Sequence, residues 1–228
     1  MRARQSSGVR WLLRAQGPLL GLIAAMFVIF LLQALLSAGW YFDLMLVPGE
    51  LVGSWNSLRG GSVSAADWRE FGTLLSYAFL HGNVEHVVYN MLFLWVFAAL
   101  AAELLGHRWM IAIFVFTAVT GGICHAALNA GDFIPMLGAS GAVMGFEGAY
   151  LGMAVRWRLP DPHVWPIARP VAPARLAILA VIGVGFDYAA LLGPAAGGVA
   201  YGAHVGGFIG GLFLASFVVP KPRLAQVR

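Results

Sequence analysis

Residues 138–155 read GASGAVMGFEGAYLGMAV. The run is apolar without the alternation of a half-buried strand, so it reads as a helix. Gly141, Gly145, Gly148 and Gly152 recur at spacings of three and four, which aligns them along one side of that helix. In a bilayer such small residues let a second helix approach closely. Two polar side chains interrupt the run. Ser140 stands at its start, and Glu147 follows seven residues later on the same face, with Met144 between them.

The rest of the chain agrees with a membrane setting. Of its 228 residues, 60% are hydrophobic and 11% charged, against roughly 25% charged in soluble domains. The mean hydropathy is +0.80. Six segments approach the ~20 apolar residues that a spanning helix needs. They run over Pro18–Ser37, Glu85–Glu103, Trp109–Leu128, Ser140–Val155, Pro173–Leu192 and Tyr201–Val219. The expected fold is all-α, a polytopic six-helix bundle, since continuous apolar runs span as helices. The expected organisation is a basic cytoplasmic stretch over residues 1–17, one domain over 18–219, and a basic cytoplasmic tail over 220–228. The apolar start is too long for a signal-peptide core of roughly 7–15 residues and is taken as a retained span.

Net charge is +4 and the pI about 9.6. No basic helix or aromatic–basic module accompanies that charge, so nucleic acid is not an expected partner. Topology explains it instead. With six spans, twelve of the fourteen Lys and Arg fall on the side that holds both termini, and only Arg59 and Arg69 fall on the other. The positive-inside rule makes the first side cytoplasmic. The expected partner surface is the lipid bilayer. Oligomeric state is not legible. Cys124 is the sole cysteine, which rules out intrachain disulfides and cysteine zinc clusters. No cofactor or metal is expected. The long outer loop between spans one and two, about Ala38 to Phe79, carries Trp40, Tyr41, Phe42, Trp55 and Trp68. Either an amphipathic structure in the outer leaflet or a compact outer loop fits it.

Ionisable and polar residues within spans are costly and therefore functional candidates. Ser140 lies just inside a helix start, where unpaired backbone N–H groups favour an oxyanion; as a helix cap it would be purely structural. His204 lies in residues 203–211, AHVGGFIGG, where Gly207 and Gly211 share its helical face. Close packing of spans four and six along their glycines would join Ser140 and His204 as nucleophile and base. Otherwise His204 is a histidine bonded to a backbone carbonyl. Residues 81–90, HGNVEHVVYN, carry His86 and Asn90 four apart on one face. With the Ser140 backbone N–H they would form an oxyanion hole. His81 falls just outside the helix and reads as structural support. Glu147 is either a structural carboxylate or one that modulates catalysis through a histidine such as His125 or His204.

Together these stretches resemble the rhomboid intramembrane serine proteases from Trp68 to Leu214. DWREF (67–71) is similar to the family's Trp-Arg element, HGNVEHVVYNM (81–91) to its His-rich lead into span two, and ELLGHRW (103–109) to its turn into span three. GASGAVMG (138–145) carries the nucleophile motif and AHVGGFIGG the base motif. The resemblance implies a serine endopeptidase that cuts transmembrane segments of other membrane proteins near the outer face. Ser140 and His204 would form the dyad, with His86 and Asn90 on the oxyanion. It also implies transmembrane protein substrates and, with no appended domains in so short a chain, a bacterial inner membrane. Met144 departs from the family, which often carries an aromatic residue there against the catalytic histidine, and Glu147 is not a usual feature. Three other readings compete. An inactive relative that binds transmembrane clients usually loses Ser or His, and here both are present. A metalloprotease would need His-Glu-x-x-His, which is absent. A channel would line a whole path, whereas these polar residues cluster toward one face.

Overall fold

The computed structural model describes residues 8–36, 39–160, 175, 178, 181–183, 185, 200–223 and 225–227. Helices α1 (Gly8–Leu35), α2 (Gly39–Phe42), α3 (Pro48–Arg59), α4 (Ala65–Ser76), α5 (Val84–Leu105), α6 (His107–Leu128), α7 (Ser140–Arg156) and α8 (Tyr201–Phe217) account for most of it. Five expected spans coincide with α1, α5, α6, α7 and α8. The fifth in sequence, Pro173–Leu192, lies outside the described residues apart from six helical positions. Among the described residues, three segments are long and apolar enough to cross a membrane: Gln16–Leu35, Val84–Leu105 and His107–Leu128. Helices α7 and α8 have 17 residues each, a rise of about 25 Å against a hydrocarbon core of ~30 Å.

Local chemistry sets the boundaries. Helix α1 starts ten residues before the expected Pro18 and runs through it, because Leu12 to Gln16 are good helix formers. Asn83 caps α5 by accepting from the His86 backbone N–H at 2.7 Å. Gly106, at φ 91°, is the whole connection between α5 and α6, a conformation that glycine adopts without Cβ strain.

The segment between α1 and α5 carries the helices α2, α3 and α4. Pro48 starts α3, with Glu50 in its first turn and Arg59 in its last, each favourable to the helix dipole. A capping box starts α4: Ser64 N–H donates to Asp67 Oδ2 at 2.7 Å, and Asp67 N–H donates to Ser64 Oγ at 3.4 Å. The Ser64 hydroxyl, which donates to Asp67 Oδ2 at 2.6 Å, and next the Ser64 N–H hold the Asp67 carboxyl down at about 2. Both helices bury one side, through Leu51, Ser54, Glu70 and Thr73, and leave Trp55 and Trp68 exposed.

Helices α6, α7 and α8 form the tightest packing. A Cβ on Gly207 would collide with the Gly141 carbonyl, one on Gly211 with the Gly145 carbonyl, and one on Gly148 with the Phe208 carbonyl. On its other side α8 sets Gly206 against Cys124 and Gly210 against Thr120 of α6. At the far end, Arg156 donates to the Ala215 carbonyl at 2.7 Å and the Val219 carbonyl at 3.2 Å, with its guanidinium 4.0 Å from the Trp157 ring centre. Beyond α8 the chain folds back. Strand β2 (Gln226–Val227) pairs antiparallel with β1 (Trp157–Arg158), and Arg223 N–H donates to the Leu104 carbonyl. This small sheet amends the all-α expectation without changing the class.

Candidate active site

The Ser140 hydroxyl is not a helix cap. Ala139 holds the N-cap position of α7, with no side-chain cap bond. The hydroxyl lies instead 2.8 Å from His204 Nε2. Two features make this meeting possible. Gly141 lets the α8 backbone come close, its Cβ position only 3.1 Å from the Ala203 carbonyl oxygen. His204 sits in the first turn of α8, so its ring reaches the start of α7.

His86 and Asn90 lie one turn apart on α5 and converge on the backbone just before Ser140. A Cβ on Gly138 would sit 2.6 Å from His86 Nε2 and 3.7 Å from Asn90 Nδ2. Gly138 has φ 125°, so both its conformation and its surroundings demand glycine. The buried Asn90 Nδ2 has no hydrogen-bond partner among the described residues. A buried, unpaired donor costs free energy in the resting protein and is available to a bound oxygen. His86 Nδ1 accepts from Gly82 N–H at 3.4 Å, so on a neutral ring the proton lies on Nε2, the nitrogen beside Gly138.

His81 precedes α5 and is 2% exposed, with neither ring nitrogen bonded to a described residue. Its ring stands edge-on to His86, centroids 5.2 Å apart. Burial, with His86 as the lesser cause, pulls its pKa down to about 4, so the ring is neutral at physiological pH. Glu147 is half-buried on α7. Seven residues along a helix put it about 10 Å from Ser140 along the axis, away from the reacting atoms. Met144 is half-buried one turn from Ser140.

Two residues went unnoticed in the sequence. Tyr201 stands edge-on to His204, ring centroids 6.2 Å apart at 86°, and supplies an aromatic neighbour from α8 itself. Its spacing of three from His204 was the available signal. Gln33 of α1 bonds the backbone of His81. The signal there was an amide within an otherwise apolar span.

A family model, the Rhomboid domain, matches residues 68–221. Rhomboid protease GluP of Bacillus subtilis (strain 168) is 28% identical over 153 residues, which are 67% of this chain and 27% of that protein. Rhomboid protein 1, mitochondrial, of Saccharomyces cerevisiae is 30% identical over 150 residues, 58% of this chain and 41% of that protein. Putative rhomboid protease YdcA of Bacillus subtilis (strain 168) is 26% identical over 129 residues, 56% of this chain and 63% of that protein. The chain thus spans less than two thirds of the length of each of these relatives. The matched family model covers more than half of the chain, and with three membrane-length helices among the described residues this is an integral membrane protein of the rhomboid family.

Proposed function

We propose that this protein is an intramembrane serine endopeptidase that cleaves transmembrane segments of other membrane proteins. The observation that carries the reading is the 2.8 Å approach of Ser140 Oγ to His204 Nε2 across the α7–α8 seam. Family membership supports it, because the relatives GluP and YdcA are named as proteases.

Ser140 attacks the scissile carbonyl carbon while its proton passes to His204 Nε2. The carbonyl oxygen becomes an oxyanion, which accepts from His86 Nε2–H, Asn90 Nδ2–H and the Ser140 backbone N–H. The C–N bond then breaks, and His204 returns the proton to the leaving amine. Water attacks the acyl-Ser140 ester with His204 again as base. The products are a carboxylate, an amine and the free serine. Tyr201, edge-on to His204, steadies the ring, a task for which Met144 offers no aromatic face.

Depth follows from helix length. If Arg156 marks the cytoplasmic end of α7, Ser140 sits about 24 Å above it. That is beneath the outer boundary of a ~30 Å hydrocarbon core. Water and substrate therefore meet Ser140 from the outer side. This orientation, with six spans and both termini cytoplasmic, rests on the distribution of basic residues.

The deciding experiment compares wild type, Ser140→Ala and His204→Ala on a single-span reporter protein in detergent, alongside labelling by a fluorophosphonate. Cleavage and labelling are expected in wild type, and cleavage is lost in both variants. A wild type that binds the reporter but neither cuts it nor labels would be an inactive client-binding relative. Glu147→Gln tests the modulating alternative, under which the pH profile of cleavage shifts. An unchanged rate and profile would remove Glu147 from any supporting role.

A further inference from the structure

Gln33 is a polar side chain near the end of α1, a helix otherwise built of apolar residues over its last turns. Its neighbours Leu31, Leu32, Leu35 and Leu36 are exposed, whereas Gln33 is half-buried. An amide in an apolar setting is costly unless its donor and acceptor are both used. Gln33 uses both on one residue. Its Oε1 accepts from His81 N–H at 3.1 Å, and its Nε2 donates to the His81 carbonyl at 3.4 Å.

The His81 carbonyl belongs to the same planar peptide unit as the Gly82 N–H. That N–H donates to His86 Nδ1. One rigid plane is therefore gripped by Gln33 at its oxygen and aimed at His86 by its hydrogen. Rotation of the plane would withdraw the N–H from Nδ1, and the His86 proton would no longer be confined to Nε2. The peptide needs an outside anchor because it lies in the short link between Leu80 and the Asn83 cap, where no helix holds it.

We infer that Gln33 is a positioning residue for the oxyanion-binding side of the site, acting through the His81–Gly82 peptide to hold His86 in the tautomer with its proton on Nε2. The inference rests on the protease reading for its kinetic consequence but not for its structural one.

Gln33→Met keeps the length of the side chain and removes both bonds. In protein labelled with nitrogen-15 histidine in lipid nanodiscs, the His86 signal is identified by its loss in His86→Ala. The wild-type ring is expected as one neutral tautomer protonated at Nε2, and Gln33→Met as a mixture of both. The same single tautomer in both proteins would overturn the inference. In the cleavage assay, Gln33→Met is expected to lower kcat about tenfold with KM within about twofold, and to cost nothing further once His86 is alanine. Equal losses with and without His86 would make Gln33 a general structural contact and overturn the positioning role. A wild type that does not cleave would end the protease reading, while the imidazole spectra would still decide on Gln33.

Discussion

The α7–α8 seam and the outer helices α3 and α4 both carry glycines in helix interiors, and the two sets mean opposite things. In the seam, Gly148, Gly152, Gly207 and Gly211 stand where a Cβ would strike the neighbouring backbone. In the outer segment, Gly53 and Gly72 have nothing within 4 Å of a Cβ position. The seam glycines buy proximity, and the proximity is what joins Ser140 to His204. The outer glycines only weaken their helices, since glycine in a helix interior costs about 1 kcal/mol relative to alanine. The same residue type is thus indispensable in one region and replaceable in the other.

The largest expected effect breaks the seam. Gly211→Val places two methyl groups against the Gly145 carbonyl and should destabilise the protein by roughly 3 kcal/mol or more. Thermal unfolding in detergent would register it, and fluorophosphonate labelling should vanish with it. A variant that unfolds at the wild-type temperature would mean that the seam is looser than its glycines indicate.

Next comes a change within the site that separates stability from chemistry. Asn90→Ala removes a buried donor that no described residue satisfies. Its kcat should fall about 100-fold, the loss seen for one oxyanion donor. Its thermal midpoint should stay level or rise, because an unpaired buried group goes with it. A large drop in midpoint would show that Asn90 serves packing instead.

His81 lies between the two regions and brings a pH dependence. Burial pulls its folded pKa to about 4, below the ordinary histidine value of about 6.5. Between those values the unfolded chain takes up a proton that the folded chain refuses, so stability falls as pH drops from 6.5 toward 4. The folded-to-unfolded ratio should change by at most about tenfold per pH unit from this group. Comparing the wild-type pH profile of unfolding with that of His81→Phe isolates it, and identical profiles would remove His81 as the cause.

The smallest effect sharpens the contrast. Gly72→Ala on α4 should stabilise that helix by up to about 1 kcal/mol, with Ser140 labelling unchanged. A loss of stability would show that α4 packs against something at that position after all.

The membrane class, the helical character of five spans, both glycine stripes, and the candidates Ser140, His204, His86 and Asn90 were legible in the sequence by itself. Each is a local property: hydropathy and helical periodicity are carried by residues within a few turns of one another. Tertiary structure alone decided which faces meet. Ser140 and His204 are 64 residues apart, and Gln33 and His81 are 48 apart, so no local period connects either pair. The same holds for α3 and α4, whose buried sides through Leu51 and Thr73 no local period assigned to a partner. It holds too for the tail that returns as β2, because a strand's partner depends on the rest of the chain. Glycine stripes announce that a helix will pack closely, but a stripe does not name its partner, and only the assembled bundle does.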